Sequence, residues 1–247
     1  MRFPDKVLIT ASLYVFAAAL LQAQNTPRTI GGIPQPASCT RVTAADDSFG
    51  AWLRALPLKR GTDIAAFDGT AVNNPLYDVF AVVDKRLLFQ RDLEQCADFC
   101  MRFWADYHKS REALDDLYLF EYSGKKTRFR RSGLSYEAFL RRAFNYSNSH
   151  SLKKGCTDVQ EPDLRPGDII VQNERGGIGH VSMIMDAATA KNGERYFLIG
   201  FGFMPAQEFH IERADAAHGK DGWFTLDGFV RWLRENLNVG APVLRRF

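Results

Sequence analysis

The chain has 247 residues, of which 46% are hydrophobic and 25% are charged, and this is the composition of an ordinary globular protein. A chain of this length can bury one sizeable hydrophobic core. The formal net charge of +3 is too small to indicate a nucleic-acid-binding protein, and we expect no nucleic-acid partner.

The first 23 residues have the layout of a secretory signal peptide. Arg2 and Lys6 precede an apolar run at 7–21, and a small residue, Ala23, follows at the expected cleavage position. The run is shorter than the roughly 20 residues that a membrane-spanning helix needs. We therefore predict an exported protein, periplasmic or extracellular, with no stable membrane insertion after cleavage.

Residues 24–47 are rich in Thr, Pro, Gly and Ala, and this composition predicts a flexible arm or linker. A single α+β domain is expected over 48–247. Its first half contains a short helix at 48–56 capped by Ser48 and a strand at 77–84. A long helix follows from Asp92, with apolar residues at helical spacing.

The rest of the chain continues with a strand at 116–122 and a helix at 135–147 capped by Ser135. Basic residues cluster at 125–133 and 140–145, and we interpret these clusters as solvated faces whose aromatic residues point inward. The C-terminal half is typical of an antiparallel sheet with a final helix. Its predicted elements are strands at 167–172, 180–188, 194–203 and 208–213 and a helix at 226–236.

Export affects the interpretation of the four cysteines, because an oxidising compartment favours disulfides. Cys39 and Cys156 lie in polar, loop-like segments and are the natural pair if one bridge exists. Cys96 and Cys100 are four residues apart on one helix. Their side chains lean along the axis in parallel, which is a poor geometry for a bond between them.

A cysteine and a histidine in this chain have the order expected of a nucleophile and its base. Cys96 lies near the start of the long helix, about one turn in if Asp92 is the cap, and a helix N-terminus stabilises a thiolate. His180 follows a glycine-rich turn and begins a strand. A strand packed across the helix start would give a Cys–His pair, with Gln207 as the nearest residue to orient the imidazole.

Two resemblances add to this interpretation. The motifs PGDIIV and GHVSMIMD resemble the hairpin of NlpC/P60 and CHAP-type cysteine peptidases and amidases, where a Gly-His pair carries the catalytic base. From about Phe49 to Phe247 the chain more closely resembles the DUF4846 family of exported bacterial proteins. The matching segments are AWLRALPLK, DLEQCADFCMR, PGDIIVQ, GHVSMIMD, MPAQEFHI, GWF and LRRF.

The resemblances imply a papain-like, NlpC/P60-type architecture, with N-terminal helices packed on a C-terminal antiparallel sheet. They imply a hydrolase that cleaves peptide or amide bonds, with cell-wall peptides as a substrate class and no cofactor. The sequence departs from the peptidase pattern at Cys96, which lies within EQCAD rather than after an aspartate. The third strand also lacks the polar residue that those enzymes use.

Two other functions fit the same residues. A non-catalytic papain-like module could bind cell-wall or surface ligands, with Trp223, Tyr146 and Asn148 lining the groove. A zinc site could use the Cys96 and Cys100 sulfurs and His180. His210 alternates with apolar residues on its strand, which predicts that it faces solvent.

Overall fold

A computed structural model describes residues 27–247, and the predicted signal peptide lies outside the described residues. None of the helices in this range is long and apolar enough to span a bilayer. The α-helices are α1 (Phe49–Arg54), α2 (Cys96–Ser110), α3 (Tyr136–Tyr146), α4 (Ser149–Gly155) and α5 (Leu226–Asn236).

A large antiparallel sheet forms the middle of the molecule. Its central order is β10-β11-β8-β7-β6-β12-β5, with β1 paired to β7, and with β9 between β8 and β2. A separate hairpin contains β3 and β4. The strands are β1 (Cys39–Arg41), β2 (Val79–Val82), β3 (Tyr118–Phe120), β4 (Lys126–Arg128), β5 (Thr157–Asp158), β6 (Ile169–Asn173), β7 (Gly179–Ala190), β8 (Arg195–Phe201), β9 (His210–Glu212), β10 (Gly219–Lys220), β11 (Trp223–Phe224) and β12 (Pro242–Arg246).

Both faces of this sheet are covered, so the molecule has two hydrophobic cores. On one face, Val181 and Met183 of β7 pack with Phe99 of α2. On the other face, Ile184 of β7 packs with Phe229 of α5. Alternation along a strand sends successive side chains to opposite faces, and the two cores divide the residues of β7 accordingly. The mixed α and β fold with a large antiparallel sheet confirms the predicted class.

Most predicted elements are present, with bounds shifted by a few residues. The Ser48 and Ser135 hydroxyls accept hydrogen bonds from the backbone N–H groups of Ala51 and Ala138, so both predicted caps are confirmed. The final helix has the predicted bounds. These elements depend on local sequence patterns, which explains why the sequence predicts them.

The prediction of a flexible arm before residue 48 is wrong for its described part. Ile30 and Ile33 are buried in the core beside α1, and β1 forms a three-residue antiparallel ladder with the end of β7. The segment contains few large apolar residues, but Ile30 and Ile33 are buried and Val42 is half-buried. Backbone hydrogen bonds between β1 and β7 also hold the segment on the sheet, and amino-acid composition does not predict such pairing.

The Pro-Gly-Asp turn before β6 contacts the C-terminal strand, β12. Gly167 has φ +97°, which is a left-handed conformation that favours glycine. The buried Asp168 carboxylate accepts hydrogen bonds from the Arg246 guanidinium at 2.6 and 2.7 Å. This ion pair fixes β12 against β6.

The four cysteines are buried free thiols. Cys39 lies in β1, and Cys156 follows the last residue of α4. The Cys39–Cys156 bridge considered from the sequence is therefore not formed in this structure.

Candidate functional site

Helix α2 begins at Cys96 and not at Asp92, so the predicted cap is wrong. Gln95 is the N-cap: its side chain accepts from the backbone N–H of Asp98, and Asp98 Oδ2 accepts from the Gln95 N–H at 2.9 Å. Asp92 instead accepts from the backbone N–H of Ala206 at 2.7 Å, which joins this loop to the segment before β9. The Cys96 sulfur is consequently on the first helical residue, where the helix dipole acts most strongly.

Three backbone N–H groups face the Cys96 sulfur. They belong to Val181, Ala97 and Cys96 itself, and each favours the thiolate. Burial acts in the opposite direction and is stronger, so it raises the pKa of the Cys96 thiol to about 11, with the nearby Asp98 carboxyl adding to the rise. The sulfur is thus a neutral thiol at neutral pH in this conformation.

The contact with Val181 is possible because strand β8 ends early. The β7–β8 ladder ends at the pair Met183 and Gly200, and β8 itself ends at Phe201. The edge of β7 beside Val181 therefore has no β8 partner in this ladder. The Cys96 sulfur accepts the N–H that a longer β8 would have bound.

His180 is the residue directly before Val181, and its side chain points to the other face of the sheet. Its Nε2 lies 2.9 Å from the Ser182 hydroxyl oxygen, and its ring packs on Phe201 and Phe203 at centroid distances of 4.9 and 5.6 Å. Its Nδ1 is buried and has no hydrogen-bond partner in the described part of the chain. Burial lowers the pKa of His180 to about 3, so the imidazole is neutral.

The structure thus brings Cys96 and His180 to the same point of the sheet edge without joining them. The backbone N–H that binds the sulfur belongs to Val181, the residue that follows His180 in the chain. Within residues 27–247, no hydrogen bond connects the sulfur to the imidazole. In this conformation the two side chains do not form a Cys–His pair.

Gln207 does not orient the imidazole. Its side-chain amide donates to the hydroxyl oxygen of Tyr77 at 3.2 Å, and Ser182 takes the place beside His180. Ser182 was not identified from the sequence. Side chains alternate between the two faces of a strand, so His180 and Ser182, which are two residues apart, lie on the same face.

A second buried histidine lies nearby, contrary to the prediction that it faces solvent. His210 is fully buried, its Nε2 lies 3.2 Å from Glu212 Oε2, and Tyr77 packs on its ring at 4.5 Å. Burial, and to a lesser extent the neighbouring His180, lower the pKa of His210 to about 3. Burial also raises the pKa of Glu212 to about 8, so a neutral carboxyl donates to a neutral imidazole.

An open cleft of about 390 Å³, which we call the Cys96 cleft, lies at the N-terminus of α2. Side-chain amides and hydroxyls dominate its polar lining, and Gly177 and Gly179 form part of its rim. Trp223, which was predicted to line a groove, is fully buried and donates to the Pro34 carbonyl at 2.9 Å. The polar lining residues besides Asp92 and Asp98 are Gln95, Asn145, Ser147, Asn148 and Ser149.

The zinc alternative lacks a ligand set. In residues 27–247, no three His, Cys, Asp or Glu side chains are grouped so that they could hold a metal ion. Cys100 is completely buried in the core beside Phe99 and Phe103, where burial raises its pKa well above the usual value. Cys100 is therefore a packing residue.

Comparison with known proteins gives one family match. The family model described as "Domain of unknown function (4846)" matches residues 31–133 and 121–235. No curated protein and no solved structure matches the chain.

Proposed function

The chain belongs to the DUF4846 family, and we propose that it is an exported cysteine hydrolase of peptide or amide bonds with a papain-like, NlpC/P60-type site. One observation carries the proposal. The sulfur of Cys96, on the first residue of a 15-residue helix at an open cleft, accepts the backbone N–H of the residue that follows His180. The residues that carry the nucleophile and the candidate base are therefore neighbours at one edge of the sheet.

The proposed reaction is acyl transfer to Cys96 followed by hydrolysis. The sulfur attacks the amide carbonyl while His180 Nδ1 accepts the thiol proton, and this proton is then given to the leaving amine. A thioester remains on Cys96, and water hydrolyses it to a carboxylate and the free thiol. In this role His180 carries its proton on Nε2, which donates to the Ser182 hydroxyl oxygen and leaves Nδ1 as the acceptor.

The protonation states decide how this reaction begins. Because burial leaves both the thiol and the imidazole neutral at rest, proton transfer accompanies the attack and does not precede it. Substrate binding in the Cys96 cleft is the event that we expect to bring the two groups together. The side-chain amides and hydroxyls of the cleft lining suit an uncharged amide.

Acylation by an activated ester tests the nucleophile directly. We expect p-nitrophenyl acetate to acetylate Cys96 in the folded protein, as shown by intact mass and peptide mapping. Cys96→Ala should abolish this adduct, whereas Cys100→Ala, one turn along the same helix, should retain it. An unmodified Cys96, or equal release of nitrophenol by the Cys96→Ala protein, would overturn the proposal.

A binding module for cell-wall or surface ligands is the second candidate. The observation that favours it is the resting state of the site, where the sulfur and the imidazole are neutral and separately bonded. Such a module would leave Cys96 unacylated in the folded protein and would still bind peptides in the Cys96 cleft. The acylation experiment combined with a binding measurement separates the two functions.

Export is part of the proposal and has its own test. We expect the protein to lose about its first 23 residues and to accumulate outside the cytoplasm. Intact mass of the protein from a fractionated cell measures both outcomes. A full-length protein in the cytoplasm would contradict this part of the proposal.

A further inference from the structure

A strongly basic surface flanks the Cys96 cleft. Between residues 125 and 142 there are seven Lys and Arg residues against one acidic residue, Glu137, so this segment carries +6 whereas the whole chain carries +3. All seven are exposed, and none forms an ion pair with a carboxylate of residues 27–247. These residues are Lys125, Lys126, Arg128, Arg130, Arg131, Arg141 and Arg142.

A second groove of about 600 Å³, which we call the hairpin groove, lies between the β3–β4 hairpin and α3. Phe120 and Phe139 are buried at its base. Tyr122 and Tyr146 line it and are 50% and 71% exposed, which is unusual for such large side chains. Arg142 supplies the cationic group of its lining.

The hairpin groove and the Cys96 cleft adjoin each other. Ser147 lines both, and the last turn of α3 contributes Ala143 and Tyr146 to the groove and Phe144 and Asn145 to the cleft. An extended molecule can therefore pass from the Cys96 sulfur, over Ser147, to Arg142.

We infer that the hairpin groove binds the carboxylate-bearing part of a peptide whose scissile amide lies at Cys96. The inference rests on the proposed function and names its substrate class, an acidic peptide. Arg142 would bind a carboxylate through its planar guanidinium, and the rings of Tyr122 and Tyr146 would contact the peptide chain.

The lining of the two cavities favours a peptide over a phosphate polymer. Arg142 is the one cationic residue among those that line the hairpin groove, so the groove offers a partner for one carboxylate and no row of cations for successive phosphates. Gln95, Asn145 and Asn148 in the Cys96 cleft offer amide donors and acceptors, which match peptide bonds. A ligand that alternates carboxylates with amides fits this mixture.

Binding to the Cys96→Ala protein tests the inference without turnover. We expect a fluorescent hexaglutamate peptide to bind, and a hexalysine peptide of the same length not to bind. Arg142→Gln should weaken hexaglutamate binding about tenfold, because one charged hydrogen-bonding partner is lost. Arg234→Gln is the matched control, since Arg234 is also exposed but lies on α5 beyond the sheet, and it should leave affinity unchanged.

Several outcomes would overturn the inference. Equal weakening by both arginine variants would show that only overall charge matters. Tighter binding of a single-stranded oligonucleotide or of phosphatidylglycerol vesicles than of hexaglutamate would assign the surface to another partner. Lost acylation of Cys96 with retained peptide binding would overturn only the proposed hydrolase, whereas acylation without peptide binding would overturn only this groove.

Discussion

Two histidines on the α5 face of the sheet have nearly the same surroundings. His180 on β7 and His210 on β9 both pack on Phe201, and each bonds through Nε2 to the side chain two residues further along its strand. Both have an unpartnered, buried Nδ1 within the described residues, and burial lowers both pKa values to about 3. Burial and protonation state therefore do not distinguish a catalytic histidine from a structural one.

The difference lies in what the neighbouring backbone does. The N–H of Val181, directly after His180, is bound to the Cys96 sulfur, whereas Ile211, directly after His210, is buried in the core on the α2 face. The side-chain partners also differ, since His180 has the neutral hydroxyl of Ser182 and His210 has the titratable carboxyl of Glu212. Under the proposed function, the first histidine is the base and the second has a pH-dependent structural role.

Replacing each histidine in turn should separate these roles most clearly. His180→Ala should slow acylation of Cys96 about 100-fold, which corresponds to about 2.7 kcal/mol in activation free energy, because a general base is lost. His210→Ala should change the acylation rate less than about twofold, since that imidazole is not at the sulfur. The rate of nitrophenol release by each variant measures both effects.

Both variants remove a buried ring, so thermal unfolding of each must first show that the proteins are folded at the assay temperature. His180→Asn provides a second variant with less change in volume. Equal slowing by the two histidine variants would remove the distinction between them.

The second prediction concerns stability at acid pH. The pKa of each buried histidine is about 3 in the folded state against 6.5 in the unfolded state, so the unfolded state binds more protons below pH 6.5. Each histidine therefore removes up to about 1.4 kcal/mol of unfolding free energy for each unit that the pH falls. Glu212, whose pKa is raised from 4.5 to about 8, opposes this loss between pH 6.5 and 4.5, because the folded state binds the additional proton.

Burial also raises the pKa values of Glu94, Asp98 and Asp186, so these carboxyls and Glu212 offset part of the loss that the two histidines cause. Glu212→Gln removes one opposing proton and should make the loss of unfolding free energy steeper than in the native protein by about 1.4 kcal/mol per pH unit. Urea unfolding at a series of pH values between 6.5 and 4.5 gives both slopes. Identical slopes for the two proteins would show that Glu212 does not hold its proton in the folded state.

The smallest expected effect comes from the cap of α2. Gln95→Ala removes the side-chain acceptor for the Asp98 N–H, and loss of a helix cap costs about 1 kcal/mol of stability. Because this cap fixes the first turn at Cys96, the acylation rate should also fall. Ser135→Ala on α3 is the control, with a similar loss of stability and an unchanged rate. Equal rates in the two variants would mean that the cap supports only the fold.

The sequence predicts the local elements of this fold better than its long-range pairing. Ser48 and Ser135 cap their helices as predicted, because a cap needs only nearby residues. The start of α2 was misplaced, since its cap is a glutamine, and the expected cap residue, Asp92, is bound to Ala206 instead. That hydrogen bond joins residues more than a hundred positions apart, so no pattern in the neighbouring sequence indicates it.

The candidate site shows the same division. The order of Cys96 and His180 along the chain predicts that the start of α2 contacts β7. The alternation of side chains along β7 could also have identified Ser182 as the neighbour of His180. The burial of His210 could not be predicted in this way. Alternation shows which residues share a face, but both faces of this sheet are covered, and only the complete fold shows that α5 closes the second one.

The position of β12 has a consequence for the way the protein is made. β12 inserts between β6 and β5, and its ladder with β6 joins residues about seventy positions apart in the chain. Until residues 242–246 have left the ribosome, β6 keeps one row of unpaired backbone groups. Vectorial synthesis therefore leaves this strand edge open while about seventy further residues are made, and chaperones are most needed in that interval to prevent aggregation.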